Sequence, residues 1–121
     1  MDHINIIKIY DIFSHSNFFY VVTEFCSGGS LLEVFQKQKI KDEKIIKLIM
    51  KQILSALFYM HQKKVVHRDM KLENLVLVEK YVPGEEEKLC IKIIDFGLAV
   101  KISQSFGNKC GNVGTPSYMA P

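Results

Sequence analysis

The side chains best suited to chemistry crowd one short run, His67-Arg68-Asp69-Met70-Lys71-Leu72-Glu73-Asn74. It sets a carboxylate, an ammonium and a primary amide within a few residues of one another. Asp95-Phe96-Gly97 adds a second carboxylate, and Gly114-Thr115-Pro116-Ser117-Tyr118-Met119-Ala120-Pro121 closes the chain. A proton acceptor, a fixed cation and oxygen donors are what alignment and charge neutralisation in group transfer require. Singly, the same residues would suit an exposed helix-to-strand loop with a capping Asp and Asn. Asp-Phe-Gly alone is a short match that arises often by chance. The longer run is specific, and all three motifs in this order make coincidence a poor account.

Order and spacing of these motifs resemble the eukaryotic serine/threonine protein kinase domain. The resemblance implies an α+β chain, a fragment of the bilobal protein-kinase fold. It would comprise the end of the small lobe, the hinge and the first half of the large lobe. The implied activity is transfer of the ATP γ-phosphate to Ser/Thr hydroxyls of a protein substrate, with ATP and Mg²⁺ as cofactors. In the matching positions, Asp69 is similar to the catalytic carboxylate that orients the substrate hydroxyl. Lys71 is similar to the lysine that steadies the transferring phosphate. Asn74, also catalytic, and Asp95 look like the Mg²⁺ ligands, hard oxygen donors suited to that ion.

The nucleotide side of the resemblance involves Thr23, Glu24, Cys26, Val76 and Asp95. Thr23 falls at the gatekeeper position, which implies a relatively open back pocket. Glu24 to Cys26 fall at the hinge whose backbone grips adenine, and Val76 falls beneath the base. Ile9, His67 and Phe96 match three members of the regulatory hydrophobic spine, a reading that includes ordinary core packing. Lys71 separates classes, because tyrosine kinases usually place alanine or arginine in this part of the loop. In the serine/threonine branch the residue matching Thr115 contacts Asp69 and Lys71. Ser30 stands where many basophilic kinases carry an acid, whereas Glu73 retains another acidic position near the peptide groove. The runs Met50–Leu57 and Ile91–Ala99 look like the calcium/calmodulin-dependent and calcium-dependent kinase group. The chain holds no calcium-binding loop, so calcium-linked regulation is implied only where the full-length protein carries such loops.

The elements that must position these residues can be read from pattern. Ile4 to Phe13 is rich in β-branched residues and reads as a strand. Phe18 to Phe25 reads as a second, with Ser14-His15-Ser16-Asn17 as the turn. Ser30-Leu31-Leu32-Glu33 matches a capping box, predicting a short helix to about Lys39. From Asp42 to about Lys63, Ile45, Ile46, Ile49, Ile53, Leu54, Leu57 and Phe58 recur at helical spacing. They predict the longest helix, with one buried face and lysines on the other. Leu75–Val78 and Leu89–Ile94 read as strands of a hairpin, with Pro83-Gly84 opening the turn and Glu85-Glu86-Glu87 as a solvated tip. From Asp95 onward the chain reads mostly as loop. The expected division is residues 1–25 as the last small-lobe strands, 26–29 as hinge, 30–94 as large-lobe helices, catalytic loop and hairpin, and 95–121 as activation segment.

Composition excludes several alternatives. The chain has 121 residues, 48% of them apolar, and a formal charge of +3. That length suits one modest core, and so small a basic surplus is too little to argue for nucleic-acid or membrane-surface binding, so neither is expected. No apolar run approaches the ~18 residues of a membrane span. The start, Met1-Asp2-His3-Ile4, does not read as a signal peptide. Cys26, Cys90 and Cys110 show neither metal-ligand spacing nor a disulfide framework. They read as free thiols of an intracellular protein, cytoplasmic or nuclear, with packing favoured over reactivity for Cys26.

Leu72 replaces the family's usual proline and Met70 its usual leucine, and the hairpin after Asn74 is longer than typical. The family's glycine-rich loop, phosphate-gripping strand lysine and helix glutamate have no counterpart in these residues. The chain alone is therefore expected to be marginally stable and inactive. A second reading, a kinase-derived interaction module without catalysis, has no need of intact Asp69, Lys71, Asn74 and Asp95. Arg68 is the only arginine in the chain, and no Asp or Glu occurs between Phe96 and Pro121. Gly111 stands where a phosphothreonine often sits in the family; Ser103 and Ser105 remain as candidates but lie farther upstream. Arg68 should therefore not be switched by the usual loop phosphate. Mass spectrometry of the active full-length protein is expected to find no activating phosphate in this segment, and finding one there contradicts the reading.

Overall fold

A computed structural model of the chain describes residues 1–38, 40–102 and 113–119. Two strands, β1 (Ile9–His15) and β2 (Phe18–Thr23), form an antiparallel hairpin. Its turn is tighter than the four residues expected. His15 pairs with Phe18, and Ser16 and Asn17 between them have φ of 47° and 68°. Two consecutive left-handed residues match the twist of the flanking strands, and asparagine tolerates that conformation well. Every residue of both strands is exposed, including Phe19 at 81%.

The expected strand from Ile4 to Phe13 is divided. Residues 4–8 leave the hairpin and lie along β5 (Ile91–Ile93). The Ile93 N–H donates to the Asn5 carbonyl at 2.9 Å, and the Ile7 N–H to the Ile93 carbonyl at 3.0 Å. A β-branched run is equally compatible with either partner. The choice falls to Asn5, whose buried amide needs the partners that β5 and the long helix supply.

Helix α1 (Leu31–Gln38) starts where the capping pattern placed it, with the Glu33 N–H donating to Ser30 Oγ at 3.3 Å. The Glu33 carboxylate pairs with Lys37 instead of reaching back. Helix α2 (Glu43–Gln62) is capped by Asp42, whose side chain accepts from the Lys44 N–H at 2.8 Å. Its buried stripe is Ile45, Ile49, Ile53, Ala56 and Met60. The expected burial of Ile46, Leu54 and Phe58 does not occur. With Met50 they form an exposed row at four-residue intervals on an adjoining flank, because only one stripe can face the small core beneath.

That core lies between α1, α2 and a second hairpin of β4 (Leu75–Leu77) and β5. Leu31, Met60, Leu77, Ile91 and Ile93 are essentially inaccessible. Both strands are shorter than the sequence suggested, and a short helical turn at Glu86–Lys88 stands within the connection between them. Residues after Asp95 are not all loop. β6 (Val100–Lys101) pairs antiparallel with β3 (Val65–Val66), two-residue strands too brief to leave a periodic signal. Among the described residues, no helix is long and apolar enough to cross a membrane.

The connection from β2 to α1 runs beside β4. The N–H groups of Ser27 and Gly28 donate to the carbonyls of Val78 and Leu77, and the Leu77 N–H donates to Gly29. Any Cβ at Gly28 would collide with the Glu79 carbonyl and the Leu77 side chain. The glycine break in the sequence is thus what lets this connection lie flat against the hairpin.

Candidate active site

Three short elements converge on Asp69: the loop after β3, the helical turn at Leu72–Asn74, and the closing turn at Pro116–Tyr118. The loop is anchored from below by His67, which is buried. Its Nε2 lies 2.9 Å from the Ile94 carbonyl, and its Nδ1 accepts the Asp69 N–H at 3.3 Å. These partners assign the proton to Nε2, since Nδ1 must accept. The ring meets Phe96 edge-on at 5.0 Å between centroids. Arg68 and Asp95 both hold left-handed backbone, at φ 68° and 59°. Non-glycine residues in that region are strained and persist where their surroundings enforce them.

The Asp69 carboxylate is held by three donors. Thr115 Oγ1 donates to Oδ1 at 2.6 Å, and Lys71 Nζ and Asn74 Nδ2 reach Oδ2 at 2.8 and 3.1 Å. Lys71 also donates to Thr115 Oγ1 at 3.0 Å, and Asn74 Nδ2 to the Asp69 carbonyl at 2.9 Å. The Lys71 bond foremost, then that of Thr115, lowers the Asp69 pKa from 3.8 to about 2 against the opposing effect of desolvation. In return the bond to Asp69 raises the pKa of Lys71 against desolvation, helped by the charges of Asp69, Glu73 and Asp95. The pair is therefore an anion and a cation at any physiological pH.

Gly114 is what admits Thr115 to this cluster. Its φ of 127° disfavours other residues, and a Cβ would stand 2.6 Å from the Arg68 carbonyl. The sequence places this glycine within a motif without revealing that contact, because the approach joins segments far apart in the chain. Arg68 Nε donates to the Leu98 carbonyl at 2.6 Å. A hollow of about 220 Å³ beside Asp69 is lined by Arg68, Met70, Thr115, Tyr118 and Met119.

Asn74 and Asp95 approach through their backbones, the Ile94 N–H donating to the Asn74 carbonyl at 3.0 Å. With the Asn74 amide nitrogen committed to Asp69, its Oδ1 is the remaining donor atom. One Asp95 oxygen accepts the Gly97 N–H at 3.2 Å. No group of three or more His, Cys, Asp or Glu able to hold a metal occurs among the described residues. An amide oxygen and a carboxylate are hard donors of the kind Mg²⁺ takes, alongside waters and phosphate oxygens.

The nucleotide residues expected from the sequence are only partly brought together. Thr23 and Asp95 line one hollow of about 440 Å³ with Ile7, Ile9, Ile12, Val21, Phe96 and Gly97. Ile9 and Phe96 thus share a cavity wall, and Phe96 carries the contact on to His67. Val76 is half-buried in β4, opposite Lys92 and bridged to Ser30. The Glu24 carboxylate accepts from Lys92 and the Lys8 N–H, so it points toward β5 and not into the hollow. Burial pushes the thiols of Cys26 and Cys90 up, which favours packing over reactivity for both. Ser103, Ser105, Cys110, Gly111, Ala120 and Pro121 lie outside the described residues.

Comparison with known proteins places these features. The family model for the protein kinase domain matches residues 1–121. Calcium-dependent protein kinase 6 of Plasmodium berghei (strain Anka) is 44% identical over 121 residues, 100% of this chain and 8% of the relative. Calcium-dependent protein kinase 4 of the same organism is 42% identical over 100% of this chain and 22% of its own length. Calcium-dependent protein kinase 5 of Plasmodium falciparum (isolate 3D7) is 43% identical, again over all of this chain and 20% of the relative. The chain spans about a fifth of two of these relatives and less than a tenth of the third.

The lowered pKa of Asp69 sets a pH window. Its stabilising contribution is complete above the ordinary value of 3.8 and is lost as pH falls through about 2. A carboxylate titration followed by carbon NMR should place the Asp69 midpoint near 2, and Lys71→Met should return it toward the ordinary range. A parent midpoint already in that range would show that the three donors do not hold the anion.

Proposed function

The chain belongs to the protein kinase domain family, and from that premise we propose that it is a segment of an ATP- and Mg²⁺-dependent serine/threonine protein kinase. The observation that carries the reading is the set of donors on Asp69, in which a lysine and a threonine from distant segments grip one carboxylate. In this reading the hydroxyl oxygen of a substrate Ser or Thr attacks the γ-phosphorus of ATP. A new P–O bond forms, the bond to the β–γ bridging oxygen breaks, and ADP leaves with that electron pair.

Asp69 accepts the hydroxyl hydrogen and aligns the attacking oxygen. The donors around it hold it as an anion, the form able to accept that hydrogen. Lys71 stands beside it as the cation for the oxygens of the transferring group. Thr115 ties both to the closing segment, whose neighbouring hollow is proposed to receive the substrate residue. Asn74 Oδ1 and the Asp95 carboxylate would hold Mg²⁺, which when bound neutralises charge on the phosphate oxygens. The stretch Glu24–Cys26 is proposed to grip adenine through its backbone, with Thr23 at the cavity wall and Val76 beneath the base.

Serine/threonine preference is supported by Lys71, which the tyrosine-specific pattern does not carry. The names of the relatives support regulation by calcium through parts of a longer protein. The 121-residue chain by itself is proposed to be inactive. Every residue of the β1–β2 strands is exposed, Phe19 more than four-fifths so, and the hairpin has no support for a rigid nucleotide cleft.

The test is phosphate transfer from γ-labelled ATP to a protein substrate by the full-length polypeptide, with phosphoamino-acid analysis. Phosphoserine or phosphothreonine is expected, falling at least about a hundredfold in Asp69→Asn. Transfer to tyrosine alone contradicts the specificity. Undiminished transfer by Asp69→Asn contradicts the role given to that residue.

A further inference from the structure

A second buried polar cluster lies away from Asp69, in the seam where residues 4–8 meet β5. Lys92 is the middle residue of that strand, between two wholly buried isoleucines, and is itself only 8% exposed. A lysine is seldom buried unless its charge is paired. Lys92 Nζ donates to Glu24 Oε1 and to the Ile4 carbonyl, each at 2.8 Å. The same Glu24 oxygen accepts the Lys8 N–H at 2.7 Å, and the Glu24 N–H donates to the Lys8 carbonyl at 3.0 Å. Alongside, Asn5 Nδ2 donates to the Ile91 carbonyl and to Gln52 Oε1, and Gln52 Nε2 donates to the Leu89 carbonyl.

A buried ion pair is weak grounds for stability, because loss of hydration offsets most of the attraction. What it supplies here is geometry. One ammonium joins the N-terminal segment, the residue that follows β2, and β5. β5 in turn is pinned to β4 and runs into Ile94 and Asp95. Glu24 opens the stretch proposed to hold adenine, while Asp95 serves the phosphate end. We infer that Lys92 is a positioning residue for nucleotide binding: by tethering the Glu24 carboxylate to β5 it fixes the stretch Glu24–Cys26 relative to Asp95. This rests on the nucleotide-binding roles proposed above for those residues.

The full-length polypeptide tests it with Lys92→Met, Glu24→Gln, the double variant and Lys92→Arg. ATP kinetics are read with Mg²⁺, beside equilibrium binding of ATP–Mg²⁺ by calorimetry, with rates normalised to folded protein. Lys92→Met and Glu24→Gln should each raise the KM and Kd for ATP about tenfold, with kcat within about twofold. The double variant should be no worse than either single one, and Lys92→Arg should restore most of the affinity. A merely structural role would instead lower the folded fraction or kcat and leave KM in place. That result, parental affinity in Lys92→Met, or additive losses in the double variant would each overturn the inference. A parent that binds ATP without transferring phosphate, and loses affinity in Lys92→Met, would overturn the phosphoryl-transfer reading and support this one.

Discussion

Asp69 carries the tightest constraint in the molecule. Its carboxylate accepts from Thr115, Lys71 and Asn74 at once, and each donor comes with an architectural demand. Lys71 and Asn74 need the loop to bend into a helical turn. Thr115 needs the closing segment to return over Arg68, which only glycine at 114 allows. His67 braces the Asp69 backbone from beneath and passes the load to Ile94 and Phe96. Left-handed backbone at Arg68 and Asp95 is the local strain that this convergence tolerates. Ser16, Asn17 and Lys64 are left-handed as well, but at Arg68 and Asp95 the strain falls beside the chemical groups.

The side-chain cluster around Asp69 was more legible in the sequence than the packing. The run around Asp69 announced its residues because several must stand at fixed intervals on one loop. The long helix was legible from Ile45, Ile49 and Ile53, and its N-terminal cap from Asp42. Ile46, Leu54 and Phe58 were misread because hydrophobicity alone does not tell which of two adjoining flanks meets a core. The division of the Ile4–Phe13 run was hidden for a related reason. A β-branched run states that it will pair, while its partner was chosen by the buried amide of Asn5, a tertiary effect. The two-residue strands at Val65 and Val100 were too brief for any period to register.

Lys92 shows the same limit from the other side. In sequence it is one lysine among many, inside a strand whose neighbours are apolar, and alternation alone would assign it to solvent. The structure turns it inward, toward Glu24 and the Ile4 carbonyl. Two polar clusters thus bracket β5. One fixes a carboxylate beside the hollow lined by Thr115 and Tyr118, and the other ties the connection after β2 to the strand that leads to Asp95. The apolar core between α1, α2 and the β4–β5 hairpin is the common base of both. By contrast, the β1–β2 hairpin shares little of that base and stays exposed throughout.

Thr115 ties Asp69 to Lys71, and the proposed transfer depends on the alignment this tie maintains. Single-turnover phosphate transfer at saturating ATP in the full-length polypeptide, comparing Thr115→Ser with Thr115→Val, addresses it most directly. The serine variant keeps the hydroxyl and should transfer within about threefold of the parent. The valine variant keeps the shape without the hydrogen bonds and should slow transfer at least about tenfold, with nucleotide affinity unchanged. Equal rates in the parent and the valine variant would contradict the account.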